Sequence, residues 1–127
     1  MPAGQDELRL VRGLAVLKAE ANCHVDYCNG VGQVFGVRLV ERPPPGVTAD
    51  AAARVLRCHG ARAVLGALDR VTLSNDPYWL PDSWVDIDVR ERSGDLLVTL
   101  TGNTVSDNIR ILHRATAFAA EQRAAVP

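Results

Sequence analysis

The chain has 127 residues, 47% hydrophobic and 23% charged, with a formal net charge of −1, which suits one globular α+β domain spanning residues 1–127 and calls for neither disorder nor a second domain. Its 14 basic residues, all Arg except Lys18, are spread along the chain, so no basic stripe for nucleic acid is expected. No segment nears the roughly 18 consecutive apolar residues of a membrane span, residues 1–7 are polar rather than signal-like, and three cysteines fit a reducing compartment, so the expectation is a cytoplasmic protein. The excess of Arg over Lys, with abundant Ala and Val, points to a high-GC bacterial source.

In chain order, residues 6–18 carry Leu8, Val11, Leu14 and Lys18 at helical spacing, with Gly13 as a weak point, and are read as helix with strand as the alternative. Ala21, Cys23, Val25 and Tyr27 alternate with polar residues up to Asn29-Gly30, a strong hairpin signal. Phe35, Val37 and Leu39 form a second alternating face, which Pro43-Pro44-Pro45 ends near Glu41 by removing amide donors. Thr48 caps a helix with Ala52, Val55, Leu56, Val64 or Ala63, and Leu68 on one stripe, ending near Asp69. Val71 to Leu73 suits a short strand. Beyond it, Asn75, Asp76, Pro77 and Pro81 make a loop that holds Tyr78 and Trp79, with Trp84 just beyond, half of the chain's aromatic residues.

The clearest pattern is last. Val85, Ile87 and Val89 alternate with Asp86, Asp88 and Arg90; Ser93-Gly94-Asp95 turns the chain; and Leu96, Val98 and Leu100 resume the alternation. A helix over about 106–122 follows, capped by Thr104 or Ser106 and carrying Val105, Ile109, Leu112, Thr116 and Ala119 on one face, with Asp107 near its positive end.

Laid side by side, these elements suggest an internal repeat of strand, strand, helix over 14–69 and 71–122. Val25-Asp26-Tyr27 echoes Val85-Asp86-Ile87, and Arg54-Val55-Leu56 echoes Arg110-Ile111-Leu112, about 60 residues apart in the strands and 56 in the helices. Two such units merge into a two-layer sandwich, an antiparallel sheet with both helices on one face and an extra N-terminal helix or strand. The order is similar to a permuted ferredoxin-like domain, resembles duplicated modules of small-molecule sensing domains, and with the N-terminal helix resembles small dimeric secretion chaperones.

Four constellations bear on function. Cys23, His24, Cys28, Cys58, His59 and His113 lack zinc spacing, so neither metal nor cofactor is expected. Cys58 in mid-helix lacks the surroundings that activate a thiol, and no catalytic signature is present. Asp86 and Asp88, about 7 Å apart on one strand face, with Asp26 at the matching place in the first unit, could hold a cation or a basic ligand. The loop of Tyr78 and Trp79, stiffened by Pro77 and Pro81, with Trp84, presents large amphipathic rings at low entropic cost. The expectation is a non-enzymatic, homodimeric binding domain whose ligand or partner is held by Tyr78, Trp79, Trp84, Asp86, Asp88 and Asp26. The alternatives are a secretion-chaperone-like interaction protein and a small enzyme.

Overall fold

The computed structural model describes residues 9–23, 34–65 and 75–125. Residues 9–13 are helical (α1), and the elements that follow are β1 (Ala15–Cys23), β2 (Val34–Arg42), α2 (Ala49–Val64), β3 (Val85–Arg92), β4 (Asp95–Gly102) and α3 (Val105–Ala125). The strands form an open antiparallel sheet in the order β1-β2-β4-β3. The fold is α+β.

The β3–β4 hairpin forms as its alternation dictates. Every residue of β3 is paired in regular register, from Val85 opposite Gly102 to Arg92 opposite Asp95. Ser93 (φ 53°) and Gly94 (φ 85°) both take positive φ, as a two-residue type I′ turn requires. Val85 and Ile87 with Leu96, Val98 and Leu100 turn to one face and are buried. Thr104 then starts α3, its hydroxyl accepting from the Asp107 amide at 3.0 Å.

Helix α2 begins at the expected Thr48, whose hydroxyl accepts from the Ala51 amide at 3.1 Å. Its buried stripe is Ala52, Leu56, His59 and Ala63, spaced by three and four; Val64, expected there as an alternative to Ala63, is exposed. Leu56, Val37, Leu39, Ile87, Leu100, Ile111, Ala115 and Phe118 belong to one hydrophobic cluster shared by both long helices and the sheet. Burying each large side chain contributes about 1.5–3 kcal/mol.

Four expectations need correction. The buried face of α3 is Asn108, Ile111, Ala115, Phe118 and Ala119, so of the expected stripe only Ala119 is buried, and Thr116 is exposed. Residues 6–18 are not one helix, because β1 begins at Ala15 directly after α1. The first strand is therefore earlier than the alternation from Ala21 suggests; residues 24–33, with the Val25 to Tyr27 echo and Asn29-Gly30, lie outside the described residues, as does the Val71 to Leu73 strand. Phe35 does not share the face of Val37 and Leu39. The β1–β2 register slips between Asn22 opposite Gly36 and Cys23 opposite Val34, so Phe35 is the extra residue and is 49% exposed. The inward face of β2 is Val37, Leu39 and Glu41.

Candidate functional site

Between α2 and β3 the chain must cross the helical layer, and it does so as a strap along α3. Moving forward from residue 75 to 83, its contacts step backward along the helix: Asn75 Nδ2 donates to Glu121, the Trp79 ring lies 5.1 Å from the Arg114 guanidinium, Asp82 pairs with Arg110 at 3.0 Å, and the Ser83 hydroxyl donates to Asp107 at 2.7 Å. The Ser83 bond is the main reason that the Asp107 carboxyl sits below its ordinary pKa. The opposite side of the strap rests on α2. A Cβ added to Gly60 would lie 2.9 Å from the Tyr78 carbonyl oxygen, so the close approach of helix and strap requires glycine there.

From this strap Tyr78 plunges between the helices to the sheet. Its ring meets His59 and Phe118 edge-on, with centroids 6.3 and 6.2 Å away. Its hydroxyl donates to Glu41 Oε1 on the central strand β2. Asp76 shapes the turn that makes this possible: Oδ1 accepts from the Tyr78 amide at 2.9 Å, and Oδ2 bonds to His59 Nε2. Glu41, His59, Asp76 and Tyr78 are all essentially inaccessible to water. Desolvation raises the Glu41 pKa to about 7 despite the Tyr78 bond, and raises that of Tyr78 through burial and the neighbouring carboxylates.

Beside the strap lies an open cleft of about 220 Å³ along the free edge of β3. One wall is the surface of α2 at Gly60, Ala61 and Val64; Tyr78, Trp79 and Trp84 come from the strap; Asp86 comes from the strand. Apolar surface dominates. Trp84 is 57% exposed, and Trp79 is half-buried with an indole Nε1 that has no hydrogen-bond partner among the described residues. Arg57 reaches over the edge and donates from Nε and Nη2 to the Ile87 carbonyl at 3.0 and 2.8 Å. Asp86 is exposed, with no ion-pair partner among the described residues.

Of the residues singled out in the sequence, Trp79, Trp84 and Asp86 therefore meet around one cleft, whereas Tyr78, expected to present its ring there, touches the cleft only from within, its side chain being buried in the core. Asp88 is on the same strand face but pairs with Arg90 at 3.0 Å and does not line the cleft, and Asp26 lies outside the described residues. Sequence reasoning missed Arg57 and the buried polar chain. A signal existed for two of its members: Glu41 continues the period of Val37 and Leu39, and His59 falls on the stripe of Ala52, Leu56 and Ala63. Both positions are inward by spacing.

Cys58 is free and exposed on α2. Among the described residues no three His, Cys, Asp or Glu side chains gather as a metal site, and no helix is long and apolar enough to cross a membrane. Comparisons with protein-family models, with curated proteins and with solved structures find no match to this chain.

Proposed function

We propose that the protein is a binding domain whose cleft between α2 and β3 takes a small, flat, mainly apolar molecule with a hydrogen-bond-donating or cationic end. The observation that carries this reading is the meeting of Trp79, Trp84 and Asp86 around a cavity beside the small side chain of Ala61, with the buried Tyr78 at its inner wall. At about 220 Å³ it is smaller than the roughly 300 Å³ at which drug-sized sites begin, which favours a small ligand. Indole faces attract apolar rings and cations alike. Asp86, exposed at the rim with no ion-pair partner among the described residues, is assigned the polar end, while Arg57 is held in place by its two bonds to the Ile87 carbonyl.

A second reading, a partner protein's side chain in the same cleft, draws support from Val64 and Leu65, exposed where α2 ends. A duplication of the ββα unit also remains our proposal. It is supported by the sheet order, which is unchanged when the units exchange places, and by each long helix packing over the other unit's strands, α2 on β3 and α3 on β1 and β2.

Tryptophan fluorescence tests the ligand reading. Titration with benzamidine should change the emission at millimolar concentration, toluene should act more weakly, and benzoate least. Trp84→Ala should remove most of the change while costing no more than about 1 kcal/mol of stability, since the ring is more than half exposed. An unchanged response in Trp84→Ala, or a loss of roughly 3 kcal/mol typical of a core aromatic, contradicts the site.

A further inference from the structure

The free edge of β3 is regular, and its charge is divided along its length. Its ladder with β4 is regular from residue 85 to 92, and the Ile87 carbonyl points away from β4 to meet Arg57. Antiparallel alternation then turns the backbone groups of Val85, Val89 and Glu91 outward as well. The side chains on the open sheet face read Asp86, Asp88, Arg90, Arg92: acidic in the first half of the strand, basic in the second. The other sheet edge offers nothing comparable, because β1 is bulged at Leu17, a device that blunts an edge.

We infer that two copies of this chain join through antiparallel β3–β3 pairing about a two-fold axis at Val89, making one continuous eight-stranded sheet. In this register Asp86 opposes Arg92 of the second copy and Asp88 opposes its Arg90, so the two-fold generates four pairs of opposite charge. The outward backbone groups agree with it, since odd residues face odd residues: Ile87 opposes Glu91 of the second copy. A slip of two residues in either direction sets Asp88 against Asp88 or Arg90 against Arg90. One register alone is matched in charge, and it is the chain's own second copy that supplies the match.

Three features of the single chain fit this pairing. Asp86 and Arg92 have no ion-pair partner among the described residues, while Asp88 and Arg90 make only an exposed pair within their own strand. Trp84, exposed in the single chain, falls opposite Gly94 of the second copy and covers that bare turn. Arg57 acts as a placeholder on the Ile87 carbonyl. When the second copy's Glu91 amide takes that carbonyl, the guanidinium is released beside the Glu91 side chain, which lies on the helix side of the sheet. The second copy's residues 91–93 also lie alongside residues 85–87, so each cleft is closed at its edge by the other copy, with Arg92 competing with a cationic ligand for Asp86.

Charge reversal tests the inference with the full-length chain. Wild type should be a dimer by light scattering at micromolar concentration. Arg90→Asp with Arg92→Asp, and separately Asp86→Arg with Asp88→Arg, should each weaken self-association by about a hundredfold. Mixed together, the two variants should form a heterodimer by native mass spectrometry, and the chain with all four reversals should dimerise again. Val89→Pro is an independent arm: it removes an outward amide without touching the β3–β4 ladder and should give a folded monomer by circular dichroism. A monomeric wild type, a dimer indifferent to Arg90→Asp with Arg92→Asp, or two reversed variants that do not recombine would each overturn the inference. Its failure is distinct from that of the ligand reading, because Arg90→Asp with Arg92→Asp leaves every cleft residue in place and removes the competitor for Asp86, so benzamidine binding should persist or tighten.

Discussion

Glu41 is the residue whose surroundings are furthest from its chemistry. It sits on the central strand facing the core, bonded to Tyr78 through one oxygen, with Oε2 lacking a partner among the described residues. Its pKa, about 7 in the fold against 4.5 as the ordinary value, means that the folded chain keeps a proton that the unfolded chain has already released. The stability from this group is therefore complete below about pH 4.5 and falls as pH rises toward 7, above which no further loss occurs. The total is on the order of 3 kcal/mol. Urea midpoints measured between pH 5 and 8 should thus decline with pH in the wild type, and Glu41→Gln, which can still accept the Tyr78 hydrogen bond, should flatten the decline. An identical slope in the variant would place the titrating group elsewhere.

At the scale of elements, the strap over residues 75–84 decides both the core and the cleft, and Gly60 decides how closely it can lie. Alanine there improves helix propensity by about 1 kcal/mol, but its Cβ would stand 2.9 Å from the Tyr78 carbonyl, and overpacking of this kind costs about 1–3 kcal/mol. The clash should win. Gly60→Ala is expected to lower stability by about 1 kcal/mol and to alter the Trp79 environment in near-ultraviolet circular dichroism; a stabilised variant with an unchanged spectrum would mean that helix and strap do not touch. How much was legible follows the same division. The β3–β4 hairpin and both helix caps could be read because each rests on local chemistry: alternation, a positive-φ turn, and a hydroxyl at the N-cap. The strap could not, because its course is set by partners far along the chain, Glu41, Glu121 and Asp107 among them, and no local period encodes them. The start of β1 was misread for a related reason. Leu8, Val11, Leu14 and Lys18 keep helical spacing, while the bulge at Leu17 carries the inward side from Val16 to Ala19 and so breaks the period of two; pairing with β2 settles the choice.

For the whole molecule, both long helices cover one face of the sheet, and the strap fills the seam between them. Tyr78 anchors the strap from within, which leaves Trp79 and Trp84 to line the space between α2 and the edge strand. Ala61 is the position from which that space can be filled without disturbing the buried polar chain, since it lines the cleft from the helix surface. The most direct test is an amide-resolved NMR titration with benzamidine on wild type and on Ala61→Phe. The account predicts shifts confined to Ala61, Val64, Trp84, Asp86 and the Trp79 indole in the wild type, and their loss in a folded Ala61→Phe. Shifts centred instead on Arg38 and Thr99 of the open sheet face, or shifts at the cleft that persist in Ala61→Phe, would contradict it.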